Sequence, residues 1–149
     1  METLKHYLDP GPLADRDFYI RCTDYSPHLV HKVPCYHFAL LHTETGAELG
    51  WLRLRIGSTP HIERYAGHVG YQVEPAHRGH HYAARALRLI VRFAGKLGIN
   101  PLWITCDPEN LASRRTLELA SAEFVEIVDV PPNCIIFQTG HPKKCRYRL

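Results

Sequence analysis

No apolar run in the sequence is long enough to cross a bilayer, and Met1-Glu2-Thr3-Leu4-Lys5 carries no secretory leader pattern. A cytoplasmic protein working away from membranes is the expectation. The five cysteines, Cys22, Cys35, Cys106, Cys134 and Cys145, are odd in number and form no C-x-x-C pair. That argues against a disulfide framework or a zinc knuckle and for reduced thiols. Internal repeats and low-complexity tracts are missing, which excludes solenoids and arrays. A net charge of +3 is too mild to argue for nucleic acid, and much of the excess sits in Lys143–Arg148, equally readable as a solvated edge. What remains is ordinary globular composition, 45% hydrophobic and 22% charged over 149 residues. One domain spanning 1–149 is expected, long enough to bury a core without staples.

The most informative stretch runs from residue 67 to residue 98. Residues 67–73 read as a strand, 74–81 as a tight polar loop and 82–97 as an amphipathic helix. Ala83, Leu87, Ile90, Ala94 and Leu97 recur at helical spacing, while Arg85, Arg88, Arg92 and Lys96 fall on other faces. Gly98 stands where a left-handed residue would end the helix. The first turn of such a helix leaves backbone N–H groups without carbonyl partners and carries partial positive charge. Arg78 and Gly79 precede it, one able to fork onto phosphate oxygens and the other letting a ligand approach the backbone. A phosphate-bearing ligand is the natural guest. His77, His80 and His81 cluster in the same loop, but no nearby cysteine or paired carboxylate completes a four-ligand set, so no metal site is expected.

The rest of the chain supplies a sheet. Residues 1–12 read as an irregular lead-in, 18–21 as a first strand, 35–42 and 48–56 as strands joined at the turn residues Thr43-Glu44-Thr45-Gly46. Leu52, Leu54 and Ile56 alternate with Trp51, Arg53 and Arg55, which implies one buried face. Residues 23–34 have turn chemistry and little room for two helices. After the helix, 102–106 is a compact apolar strand; its helical connection from the strand before it makes the two parallel. Asp107-Pro108 reads as the cap and first position of a further helix reaching Ala120. Residues 124–130 and 135–139 read as a closing hairpin pair.

The residues Val73-Glu74-Pro75-Ala76-His77-Arg78-Gly79-His80-His81-Tyr82-Ala83 resemble the V-x-P-x-x-R-G-x-G-Y-A form of the signature loop of the GNAT superfamily of acyl-CoA-dependent N-acyltransferases. Ala76 replaces the leading Gln/Arg of the signature, and His81 stands where its second glycine is usual. Asn110 and Ser113 match the N-x-x-S/A that follows the fifth strand in that family. The position of the family's thiolate-protonating tyrosine falls on Leu117. The resemblance implies an α/β (α+β) fold: a mixed, mostly antiparallel twisted sheet of about seven strands, a splayed central parallel pair, helices on both faces, and here a first helix pair that is short or absent. It implies acetyl-CoA as cosubstrate, gripped by Tyr71, Gln72, Val73, Arg78, Gly79, His80, His81, Tyr82, Ala83, Asn110 and Ser113. The acyl carbonyl would be held by main-chain N–H groups near Gln72 and Val73.

Direct attack by an amine on a thioester needs a proton acceptor. The polar residues near the central strand offer His68 first, for its pKa near working pH, then Glu63, Tyr71 and Glu74. The expected reaction is acetyl transfer to the primary amine of a small molecule, protein N-terminus or lysine, with a homodimer permitted by exposed strand edges. The alternatives are a non-catalytic acyl-CoA-binding module and a basic ribosome- or nucleic-acid-associated protein.

Overall fold

The computed structural model describes residues 7–27 and 30–149; residues 1–6 of the lead-in and residues 28 and 29 lie outside the described residues. Five strands form one antiparallel sheet in the order β1 (Leu13–Asp15), β2 (Phe18–Pro27), β3 (Pro34–His42), β4 (Glu48–Arg55) and β5 (Val69–Val73). A wide π-helical turn (His61–Ala66) leads into β5, and α1 (Tyr82–Lys96) leaves it through the polar loop. Then come β6 (Trp103–Cys106), α2 (Leu111–Leu119), β7 (Glu123–Asp129), α3 (Ile135–Gln138) and β8 (Lys143–Arg148), with a second antiparallel sheet in the order β6-β8-β7. Among the described residues no helix is long and apolar enough to cross a membrane.

The alternation on β4 sorts its faces as expected. Leu52 and Leu54 are fully buried against Leu87, Ile90, Phe93 and Ala94 of α1, whereas Trp51, Arg53 and Arg55 are half-buried on the other side. In α1 the buried stripe also takes in Tyr82, Ala84 and Ala86, while Ala83 and Leu97 are only partly covered. Arg85, expected in water, is 11% exposed: it pairs with Asp15 at 2.8 Å and with Asp17, and lies over the rings of Phe18 and Tyr82. It ties the β1–β2 hairpin to the helix. Gly98, at φ 81°, closes α1 as its position predicts.

Residues 23–27 belong to β2, which pairs with β3 directly, so no helix stands between these strands among the described residues. On the Trp51–Arg53–Arg55 face, Arg55 bonds the last carbonyl of the π-turn.

The C-terminal third departs most from the sequence pattern. Residues 135–138 are a short helix and not a strand; the last strand is the basic stretch Lys143–Arg148, the centre of the second sheet. Its charges read as solvated only because their partners lie far off in sequence. Lys143 faces Asp129, Arg146 faces Glu126 and Arg148 faces Glu123 across β7, at 2.6, 2.5 and 2.5 Å. Arg146 is 7% exposed and lies 4.0 Å over the Trp103 ring. The tail is therefore paired residue by residue with β7 and is not an isolated run of one sign.

The two sheets meet at one point. The His68 N–H donates to Trp103 O at 2.6 Å, and the Trp103 N–H donates to His68 Nδ1 at 2.9 Å. Nε2 of the same ring therefore carries the proton and donates to Gly57 O at 3.0 Å. Past that contact β5 bonds only to β4 and β6 only to β8, so the strands part as the expected splayed pair. Gly67, at φ 76°, permits the close approach: a Cβ there would stand 3.0 Å from Thr105 N and 3.2 Å from Trp103 O.

Two outcomes follow from this vertex. Gly67→Ala should cost about 2 kcal/mol in urea unfolding, because it adds both a positive-φ penalty and a backbone clash. Burial, its largest perturbation, lowers the His68 pKa from 6.5 to about 4. Below pH 6.5 the unfolded chain then binds a proton that the folded chain refuses, so stability falls with falling pH. Between pH 7.5 and 5.0 the loss due to His68 should be about 2 kcal/mol, absent in His68→Gln.

Candidate active site

The splay opens a cleft of about 740 Å³ between β5, β6 and the starts of α1 and α2. At one end the polar loop enters α1. Gly79, at φ 98°, has nothing within 4 Å of where a Cβ would stand, so its main chain lies open. His81 occupies the left-handed region at φ 60°, ψ 28°, the conformation for which the second glycine of the signature is suited, and its side chain makes no capping bond. Such a residue costs roughly 1 kcal/mol relative to glycine. Its carbonyl accepts the Arg85 N–H at 3.0 Å, which begins the helical ladder and leaves the N–H groups of the first turn pointing out of the helix end. Arg78 Nε donates to Val73 O at 3.2 Å, lashing the loop to the end of β5. The result is a main-chain cradle for an anion, with a guanidinium beside it.

The free edge of β5 forms one wall. Glu74 N–H donates to Leu49 O at 2.8 Å. Donors of alternate residues in an antiparallel ladder face the same neighbour, so Gln72 and Gly70 also face β4 while the N–H groups of Tyr71 and Val73 turn toward the cleft. The Arg78 bond to Val73 O comes from that side as well. Two backbone donors thus line the place where the strands part.

The opposite wall comes from β6 and α2. Asn110, rather than Asp107, is the cap of α2: its Oδ1 accepts the Ser113 N–H at 3.1 Å, leaving its amide nitrogen uncommitted. Tyr71 reaches across the cleft floor, its hydroxyl 2.7 Å from Ser113 Oγ, and burial pushes its pKa up to about 12. Burial likewise pushes the Cys106 thiol up to about 11, which keeps it a thiol at neutral pH. Leu117, at the position of the family's tyrosine, is fully buried in the core.

Freed from capping, Asp107 points into the cleft mouth. His141 Nδ1 stands 2.7 Å from its Oδ2, and Lys144 Nζ 3.0 Å from Oδ1, an ion pair too bent to count as a hydrogen bond. Burial raises the Asp107 pKa, but the Lys144 and His141 contacts outweigh it, and the net shift is downward. Arg55 completes the mouth on the β4 side, and Thr105 donates to Tyr65 O at 2.7 Å between them.

Of the residues the sequence nominated, Tyr71, Gln72, Val73, Arg78, Gly79, His81, Tyr82, Ala83, Asn110 and Ser113 line this one cleft. His80 does not; its ring lies against Tyr82 and its carbonyl accepts from Arg85. Nor do three of the four nominated bases, His68, Glu63 and Glu74; Tyr71 does. His68 is 1% exposed with both ring nitrogens bonded to main chain, so it has none left for a substrate. Glu74 is exposed at the start of the loop, and Glu63 sits on the π-turn, where its carbonyl receives Arg146. Local sequence carries no signal for Arg55, Asp107 or His141, which converge from three separate elements. Among the described residues, no group of three or more His, Cys, Asp and Glu could hold a metal ion.

Comparison with known proteins gives the same architecture. The family model described as an acetyltransferase (GNAT) domain matches residues 2–121. No curated protein matches the sequence. Among solved structures, a GNAT-family acetyltransferase of Bacillus anthracis is similar at TM-score 0.68 and 13% identity, over 93% of this chain and 97% of that one. The ribosomal-protein-S5-alanine acetyltransferase of Vibrio fischeri is similar at TM-score 0.67 and 10% identity, over 93% and 95%. A ribosomal L7/L12 alpha-N-protein acetyltransferase, solved in complex with coenzyme A, is similar at TM-score 0.66 and 9% identity, over 93% and 97%. With the family model covering most of its length and the splayed strands and main-chain anion cradle in place, this chain belongs to the GNAT acetyltransferase family.

Proposed function

We propose that the cleft binds acetyl-CoA and transfers its acetyl group directly to a primary amine. The observation that carries this reading is the open N–H array at the start of α1, joined by one continuous cleft to the unpaired edge of β5. A diphosphate fits the cradle formed by residues 78–83, with Arg78 beside it. The pantetheine arm would run along Val73 and the uncommitted amide of Asn110. The carbonyl oxygen would then lie against the cleft-facing N–H groups of β5, which stabilise the charge that develops there. The coenzyme A complex of a structural neighbour supports this use of the fold.

The chemistry is assigned to the cleft mouth. His141, held through Nδ1 by Asp107, keeps Nε2 free to accept a proton. The amine lone pair attacks the carbonyl carbon, the C–N bond forms, the C–S bond breaks, and the nitrogen's proton passes to His141. The Tyr71 hydroxyl, which its high pKa keeps protonated, stands on the cleft floor to hydrogen-bond the departing thiolate. An acyl-cysteine route through Cys106 is disfavoured by its raised pKa. On the partner side, the edge strand β7 exposes Phe124, Val125 and Ile127, which supports a homodimer checkable by sedimentation velocity.

Steady-state kinetics test the assignment. Arg78→Ala should raise KM for acetyl-CoA about tenfold with a small change in kcat. His141→Gln should lower kcat roughly 100-fold, whereas His68→Gln should leave kcat within a few-fold. An unchanged kcat in His141→Gln removes His141 as the base. Absence of acetyl-CoA binding by calorimetry removes the reading as a whole.

A further inference from the structure

The cleft holds a second cationic group, at the end away from the anion cradle. Arg55 ends β4 on the face opposite the core and lies across β5 at Gly70, where a Cβ would stand 2.9 Å from Nη2. Only glycine leaves that space. Nη1 donates to the carbonyls of Ala66 at 3.1 Å and Gly67 at 3.0 Å, which fixes the guanidinium at the vertex of the splay. Nε is buried without a partner, no bond engages Nη2, and among the described residues no carboxylate forms an ion pair with Arg55. Nη2, unlike Nε, is not among the buried atoms, and it is the nitrogen through which Arg55, in the cleft lining, can donate to a ligand's carboxylate. Its charged neighbour on the sheet, Arg53, is another cation, stacked 4.5 Å over Trp51.

A half-buried guanidinium with no counter-charge carries a desolvation cost, and two carbonyls offset only part of it. An apolar side chain could pack between the strands without it, so the missing negative charge points to a ligand. That ligand is not the diphosphate. The cradle begins beyond Val73, about 10 Å of extended strand from Gly70, and Arg55 is held by residues 66 and 67 at the opposite end. Between the two stand the cleft-facing N–H of Tyr71, where the acyl carbon is placed above, and the His141–Asp107 pair across the mouth.

We propose that Arg55 anchors the acceptor, and that the acceptor is an amine bearing a carboxylate close to its nucleophilic nitrogen. The proposal rests on the acetyl-transfer reading and narrows its substrate class. With the carboxylate on Arg55, the amine lies between the acyl carbon and His141. A free amino acid and a peptide beginning with an acidic residue share this chemistry.

The test compares initial rates with acetyl-CoA and four kinds of acceptor: an L-amino acid, its amide, the corresponding decarboxylated amine, and peptides beginning with Asp or Ala. At least one carboxylate-bearing acceptor should exceed its neutral counterpart tenfold or more in kcat/KM; whether it is the amino acid or the Asp peptide assigns the source. Arg55→Met should erase that preference by raising acceptor KM at least tenfold while KM for acetyl-CoA stays unchanged. Because Arg55 also holds the Ala66 and Gly67 carbonyls, Gly70→Ala serves as a second variant. It keeps the charge, displaces Nη2, and should raise acceptor KM in the same sense, with thermal unfolding confirming that both variants are folded. Equal rates for acid, amide and amine, a preference that survives both variants, or acetyl-CoA binding with no carboxylate-bearing amine acetylated would each overturn the anchor. Loss of the anchor leaves acetyl transfer standing as long as acetyl-CoA binds and neutral amines are turned over.

Discussion

Two strands joined at one end and free at the other define this molecule, and the joint is the paired contact between His68 and Trp103. One bond is main chain to main chain; the other uses an imidazole nitrogen where a ladder would use a second carbonyl. A side chain cannot propagate a ladder, so pairing stops after a single step and the strands diverge. Were the ladder to continue, the donors of β5 would be spent on β6 and no cleft would exist. Gly67 lets the backbones touch at the joint, and burial keeps His68 neutral so that Nδ1 can accept.

Each wall of the cleft then follows from where a chain element leaves that vertex. β5 ends in the loop that delivers α1 with its N–H groups outward; β6 ends in Asp107 and the Asn110 cap. The second sheet contributes through β8, whose preceding segment carries His141 back to Asp107. Opposite charges across β7 and β8 hold that sheet in register, and Arg146 links it to the carbonyl of Glu63 on the π-turn. Hydrogen-bond donors end up at both ends of one groove, main-chain N–H groups at the α1 end and a guanidinium at the vertex. A thioester carrying a diphosphate and an acceptor carrying a carboxylate would fill those ends with their reactive atoms between them.

His68 and His141 show how placement separates two residues of one type. As a residue type, histidine is suited to act as a general base. Burial takes His68 out of that role and commits both its nitrogens to main chain, while His141 keeps one nitrogen free and has a carboxylate to orient the other. Position relative to solvent and partners, and not residue type, decides which of the two can do chemistry.

Sequence alone determined what depends on near neighbours. The strand-loop-helix unit, the end of α1 at Gly98, the alternation of β4 and the residues of the anion cradle are written in spacing, because helix periodicity and turn geometry are set by residues a few positions apart. Tertiary structure decided whatever depends on charge meeting charge across distant segments. Lys143–Arg148 read as a solvated edge until Glu123, Glu126 and Asp129 stood opposite it. Asp107 read as a helix cap until His141 and Lys144 claimed it, and Arg55 as one more alternating polar residue until Gly70 made room for it over the cleft. The cost of placing a charge depends on what surrounds it, and those surroundings exist only once the chain has folded.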